Sequence, residues 1–294
     1  MGPLTMKILD VVFMFQMQEE RMIKWHSRRH AHPEPQFEFH YFLGGHGVFK
    51  NGAQSHPIEK GSLFLSVPEQ MHEIQAENLD HPLSYYALLF EAPPDDYLYP
   101  YLSDPNFQSF FPVKIGTSHR MFFEDAKNKF NQNENTFRVR AVELRLEALV
   151  HDLVGDLRSG VSSFLDADGH AEVFNLHVEQ ALGILQNHVF SSISLGNVCE
   201  QLKITEEYLI RLFKRHMNMT PMRYLANLKM ETATSLLLNS DLSVKEISWK
   251  LGFSSQYHFS RSFKGYSGCT PTEYRANYFL NNPNNYHMKI LDVS

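Results

Sequence analysis

Two stretches of this chain place the same reactive side chains at the same spacing. "RLFKRHMNMTPMRY" (211–224) aligns with "RSFKGYSGCTPTEY" (261–274) at an offset of 50 residues. Arg211/Arg261, Phe213/Phe263, Lys214/Lys264, Thr220/Thr270, Pro221/Pro271 and Tyr224/Tyr274 are identical. A guanidinium presents a rigid fork of donors that grips a phosphate or a guanine edge through two hydrogen bonds at once. An arginine that recurs at one place in a repeat is therefore expected on a face that meets phosphate or guanine. Lys214, Arg215 and Lys264 read as phosphate contacts, which position a duplex without specifying its sequence. Tyr224 and Tyr274 follow Thr-Pro in both copies and read as core.

The elements that must hold these groups repeat as well. At an offset of 49, "LGNVCEQLKI" (195–204) lies over "VKEISWKLGF" (244–253), matching at four apolar positions. The one-residue difference falls where a turn is expected. Each copy has the pattern of a helix-turn-helix. The first helix buries Leu195, Val198 and Leu202, or Val244, Ile247 and Leu251. The turn is Lys203-Ile204 in one copy and Gly252-Phe253 in the other. A left-handed turn residue suits glycine, whereas lysine there costs about 1 kcal/mol. Thr205 and Ser254 or Ser255 cap the second helix. That helix buries Leu209, Leu212 and Phe213, or Phe259 and Phe263. Its other side carries Tyr208, Arg211, Lys214 and Arg215, or Gln256, Tyr257, Ser260, Arg261 and Lys264. Thr-Pro restarts a helix after each unit. "MRYLANLKMETATSLLLNS" between the copies reads as one helix about 28 Å long. That is close to the ~34 Å between successive major-groove faces.

Composition agrees only when divided. The 294-residue chain has net charge −6. Residues 1–172 hold 15 basic and 24 acidic side chains, and 173–280 hold 11 and 8, for −9 and +3. An acidic front and a mildly basic back fit contact with nucleic acid by one half. Two cysteines, Cys199 and Cys269, exclude a disulfide scaffold and point to a reducing, cytoplasmic setting. No apolar run reaches the ~18 residues of a membrane span. The patch Ile8–Phe15 is too short, is interrupted by Asp10 and lacks a signal-peptide cleavage site. "MKILDV" occurs at 6–11 and again at 288–293; no physical reading attaches to that recurrence.

From 36 to 91, short apolar runs alternate with turn signals: Gly44-Gly45, Asn51-Gly52, Lys60-Gly61, Pro68 and Pro93-Pro94. Asn-Gly between strand-like runs marks a hairpin, and strands at this spacing make a sandwich or closed barrel. Alternation puts Phe37, Phe39 and Tyr41 on one face and Glu38, His40 and Phe42 on the other. The aromatics either line a sugar-sized cavity or form the core. "HAHPEPQFEFHYFLGG" and "GSLFLSVPEQMHEI" resemble the two signature motifs of the cupin (jelly-roll) family over roughly residues 25–90. The resemblance implies that His30, His32, Glu38 and His72 hold a divalent metal, or else hydrogen-bond an effector or one another. Imidazoles and a carboxylate on one barrel interior suit such a cation. His26, His40, His46, His56 and His81 read as surface or strand residues.

Two helices follow. Ser118 caps "SHRMFFEDAKNKF", and Thr136 opens a helix whose Val142, Leu146, Leu149, Leu153 and Leu157 form one face. Leu144, Ala148, Val150 and Val154 beside that stripe suit packing on a second chain, hence a homodimer. The expected fold is α+β multidomain. It comprises a cupin-like sensor domain over 1–117, a helical dimerisation segment over 118–158 and a linker over 159–172. An all-α double helix-turn-helix domain over 173–280 and a tail over 281–294 complete it.

Residues ~173–280, above all "LLLNSDLSVKEISWKLGFSSQYHFSRSFKGYSGCTPTEYR", resemble the AraC/XylS family of transcription regulators. The resemblance implies binding of double-stranded promoter DNA, a small-molecule effector such as a carbohydrate, contact with RNA polymerase, and activation of transcription. It places groove-reading residues at Glu207, Tyr208, Ile210 and Arg211, and at Gln256, Tyr257, Ser260 and Arg261. Lys203 departs from the family's turn glycine. Ile210 stands where a polar residue is frequent, and suits a thymine methyl. The competing readings are a cupin metalloenzyme, an isomerase or dioxygenase with an accessory helical domain, and a DNA-binding protein whose front half only mediates association.

Overall fold

The computed structural model describes residues 6–15, 29–77, 82–115, 117–131, 136–159, 172–217 and 219–281. The chain separates into two compact units, Met1–Glu172 and Val173–Ser294.

The first unit is built on two antiparallel sheets. Strands β1 (Lys7–Met14), β2 (Gln36–Gly44), β5 (Ser62–Ser66), β7 (Ser84–Glu91) and β8 (Val113–Lys114) form one, in the order β1-β7-β2-β5-β8. Strands β3 (Gly47–Asn51), β4 (Gln54–Pro57) and β6 (His72–Ala76) form the other, in the order β4-β3-β6. Asn51 pairs with Gln54 across Gly52, whose φ of 60° only glycine adopts at little cost. Phe42, Phe64 and Tyr85 of the first sheet meet Phe49 and Ile74 of the second in one buried core. The inner aromatics are therefore packed core. On the opposite face of β2, Phe37 and Phe39 stack on Phe90, and Tyr41 stacks on Phe123. Both faces of β2 are thus buried, and its alternation separates two aromatic clusters.

Strand β1 was not among the expected strands. Its run "KILDVVFM" does not alternate cleanly, because the register shifts between Ile8 and Asp10 as it pairs with β7. The first copy of MKILDV enters this strand, and the second lies outside the described residues, as do His26 and His81. Two short helices, α1 (Tyr99–Leu102) and α2 (Pro105–Ser109), precede α3 (Thr117–Asn131) and α4 (Thr136–Ser159). Ser118 falls within α3, which starts one residue earlier. Phe123 of α3 covers the first sheet. Val142, Leu146, Leu149 and Leu153 of α4 are buried as expected, but so are Val150 and Val154. Those two valines pack within their own unit and are not available to a second chain. Leu144 and Ala148 are exposed. Residues 160–171, most of the expected linker, lie outside the described residues.

The second unit is all helical: α5 (Glu172–Asn187), α6 (Leu195–Leu202), α7 (Glu206–Met217), α8 (Pro221–Asn239), α9 (Val244–Lys250), α10 (Gln256–Ser267) and α11 (Pro271–Asn281). The repeat governs its structure. Ser194 and Ser243 close capping boxes on α6 and α9. Both helices end in one turn, with Ile204 N–H donating to the Cys199 carbonyl and Phe253 N–H to that of Ser248. The turn residues Lys203 and Gly252 have φ of 55° and 70°. Thr205 and Ser255 cap α7 and α10, and Pro221 and Pro271 open α8 and α11. The paired aromatics recur too, Phe213 edge-on to Tyr224 and Phe263 edge-on to Tyr274. Tyr224 is buried, whereas Tyr274 is half-buried.

Candidate nucleic-acid interface and imidazole–carboxylate cluster

Helices α7 and α10 each bury one face and present the other. Leu209, Leu212 and Phe213, and Phe259 and Phe263, are buried. Glu207, Arg211, Lys214, Arg215, Gln256, Tyr257, Arg261 and Lys264 are exposed, and Tyr208, Ile210 and Ser260 are half-buried. The two repeated arginines therefore face solvent at equivalent positions of equivalent helices. Their chemistry differs in detail. The Arg211 guanidinium sits 5.4 Å over the Tyr208 ring, which meets His177 of α5 edge-on. Tyr208 is thus braced, while Tyr257 is 76% exposed. The first turn of α7 carries Glu206 and Glu207, and that of α10 carries no acid. Helix α8, 19 residues long, joins the two helix-turn-helix repeats.

Two residues of this unit were not singled out from the sequence. Trp249 is 59% exposed beneath the Lys245 ammonium. Lys229 of α8 donates to the carbonyls of Ser191 and Leu251, both at 2.7 Å. Within one helix neither differs in pattern from an ordinary surface position.

In the first unit, β2 and β6 bring an imidazole cluster around one carboxylate. Glu38 Oε2 lies 3.0 Å from His32 Nε2, 2.9 Å from His72 Nε2 and 3.4 Å from His40 Nε2. His30 exchanges backbone hydrogen bonds with His72, and their ring centroids are 4.2 Å apart. One ligating atom each from His30, His32, Glu38 and His72 falls within 4.8 Å of the others. His40 lies on strand β2, as the strand reading has it, and also belongs to the same cluster. It is buried two residues from Glu38, on the face that the alternation assigns to both. Its Nδ1 has no hydrogen-bond partner among the described residues.

Burial alone would raise the Glu38 pKa. His40 and the hydrogen bonds to His32 and His72 outweigh it and hold the carboxyl well below the usual range. Burial, reinforced by the other imidazoles against the pull of Glu38, pushes His40 down to about 3. An ionised Glu38 is the state that a carboxylate ligand requires. His72 Nδ1 lies 3.3 Å from the Gln70 carbonyl. That contact fixes the ring with Nε2 turned toward Glu38, as backbone carbonyls do for histidines that bind metals. Ligand atoms 2.0–2.1 Å from a metal stand roughly 3 Å apart, close to the distances from Glu38 Oε2 to His32 and His72. The donor set fits a divalent cation.

Residues 198–277 match the family model described as "Helix-turn-helix domain", and residues 14–108 match "AraC-like ligand binding domain". The chain is 36% identical over 257 residues to the raffinose operon transcriptional regulatory protein RafR of Pediococcus pentosaceus, covering 81% of this chain and 84% of that one. It is 24% identical over 245 residues to the Msm operon regulatory protein of Streptococcus mutans, with the same coverages. Among solved structures, the C-terminal domain of AraT, a response regulator from Geobacillus stearothermophilus, is 31% identical. That match covers 34% of this chain and 84% of that one, with a TM-score of 0.34.

Proposed function

The chain belongs to the AraC family of transcription regulators, and from that premise we propose that it activates a carbohydrate-utilisation operon by binding two successive major-groove segments of promoter DNA. It is a DNA-binding regulator with a ligand-binding domain, not an enzyme, so the metalloenzyme reading falls. No described helix is long and apolar enough to cross a membrane. We place its work in the cytoplasm, where promoter DNA and RNA polymerase are.

The observation that carries the proposal is the matched exposure of Arg211 and Arg261 on two helices with the same caps, turns and core contacts. In this reading Glu207, Tyr208, Ile210 and Arg211 read one segment, and Gln256, Tyr257, Ser260 and Arg261 the other. Lys214, Arg215 and Lys264 hold phosphates. A carbohydrate effector is supported by the similarity to the raffinose operon transcriptional regulatory protein RafR. The effector site is the cluster of His30, His32, Glu38 and His72, whose four side chains would hold a divalent cation. When bound, that cation supplies a Lewis acid for hydroxyl or carboxylate oxygens of the effector. The sensor extends over 1–117, the helical pair over 118–158, the linker over 159–172 and the DNA-binding domain over 173–280. A homodimer forms through the exposed face of α4, where Phe137, Leu144 and Ala148 recur at intervals of seven and four.

The test is binding of the purified chain to duplexes that it selects from a random pool. Arg211→Ala combined with Arg261→Ala is expected to abolish sequence preference. Unaltered selectivity in the double variant contradicts the assignment.

A further inference from the structure

We propose that Lys229 is a positioning residue that clamps the two helix-turn-helix units at one fixed relation, so that both enter the duplex together. The inference rests on the two-segment reading above. Lys229 lies in the middle of α8, the helix both units share. Its ammonium donates to the Ser191 carbonyl, three residues before the cap of α6, and to the Leu251 carbonyl, at the C-terminal end of α9. One cation therefore ties the segment leading into the first unit to the turn of the second. It meets the exposed partial negative charge at a helix end, where a cation is favourable.

The surroundings form a junction around that contact. A side-chain atom at Gly252 would stand 3.2 Å from the Ser191 backbone and 3.5 Å from the Lys229 ammonium. The backbones of the two units thus come close at the turn glycine. Lys250 lies 5.8 Å over the Phe190 ring, and Lys229 lies 5.8 Å over that of Phe253. Two backbone carbonyls and the Phe253 ring thus surround Lys229, and the Lys250–Phe190 contact lies beside them. Each unit's own core lies elsewhere, in Leu209, Leu212 and Phe213 for the first and Ile247, Phe259 and Phe263 for the second. Removing the ammonium therefore loosens the relation between the units and leaves each unit packed. Two modules held in register bind the second segment at high effective concentration, and that gain is lost when their geometry is not held.

Lys229→Met and Lys229→Arg are compared with the wild-type full chain by fluorescence anisotropy. The probes are a duplex selected by the wild-type chain, the same duplex with either protected segment scrambled, and one with two base pairs inserted between the segments. Hydroxyl-radical footprinting of the wild-type complex defines the segments. Lys229→Met is expected to bind each one-segment duplex within about twofold of wild type and the two-segment duplex at least tenfold more weakly. The insertion is expected to cost Lys229→Met less than it costs wild type. Lys229→Arg, which keeps the charge and the donors, is expected to restore most of the two-segment affinity. Equal losses on one-segment and two-segment duplexes overturn the clamp, as does an unchanged two-segment affinity. If Lys229→Met fails to give a cooperative thermal melt, Lys229→Gln is read in its place against the same criteria. A wild-type footprint of one segment overturns the two-segment reading and the clamp with it, whereas a two-segment footprint with equal losses overturns the clamp alone.

Discussion

The two helix-turn-helix units share a skeleton and differ in the side chains mounted on it. Both start from a serine capping box, turn through a left-handed residue, restart at a hydroxyl cap and pack an aromatic pair edge-on. The first unit uses Lys203 in the turn and the second Gly252. The first recognition helix begins with two glutamates and carries isoleucine beside its arginine; the second begins with glutamine and tyrosine. Backbone geometry is thus held by caps, turn and core, while the exposed faces are free to differ. In the proposed reading the acidic, partly apolar face selects cytosine amino groups and thymine methyls. The second face, with Gln256 and Tyr257 in place of the acids, suits adenine and backbone contacts beside Arg261.

The largest expected effect probes the shared skeleton. Phe213→Ala and Phe263→Ala each remove a fully buried ring, at a cost of roughly 3–5 kcal/mol. Equivalent construction predicts similar falls in thermal stability for the two variants. A large loss for one and none for the other would break the equivalence. The next effect probes the divergent faces. Arg211→Ala and Arg261→Ala are each expected to cost about 1–3 kcal/mol of discrimination. Repeated selection from a random pool checks this, with preference relaxed only in the segment facing the altered unit. Loss of preference across both segments would mean that the units do not read independently.

A smaller effect separates the turns. Lys203→Gly is expected to stabilise the first unit by about 1 kcal/mol by relieving a left-handed lysine. Gly252→Ala is expected to destabilise the second, because its new methyl meets the Ser191 backbone at 3.2 Å. Thermal melts of the two variants should move in opposite directions. The smallest effect concerns phosphate contacts. Lys214→Ala and Lys264→Ala should each lower the slope of log affinity against log salt by about 1. Base preference should stay as it is in wild type.

The repeat was legible because a chain can be compared with itself. Phe213 with Phe263 and Thr220 with Thr270 fix the frame, and the exposure of Arg211 and Arg261 then follows from helical spacing. Alternation along 37–42 likewise separated Glu38 and His40 from the outer aromatics. The same alternation held the signal for His40 in the cluster, since it places His40 beside Glu38, but a lone histidine in an apolar strand also reads as ordinary core. Strand β1 was hidden by its shifted register at Asp10. Val150 and Val154 were misjudged because a helix packed against its own unit on a broad face looks, in one dimension, like a helix with a second stripe. Lys229 was invisible for a different reason. Its partners are carbonyls 38 and 22 residues away, and carbonyls leave no mark in a sequence.

In the proposed reading both repeated units engage one duplex at once. Hydroxyl-radical footprinting of the wild-type chain on its selected duplex tests it directly. Two protected segments on one side of the duplex, centred about one helical turn (~10 base pairs) apart, are the predicted result. A single protected segment, unchanged when either Arg211 or Arg261 is replaced by alanine, would contradict it.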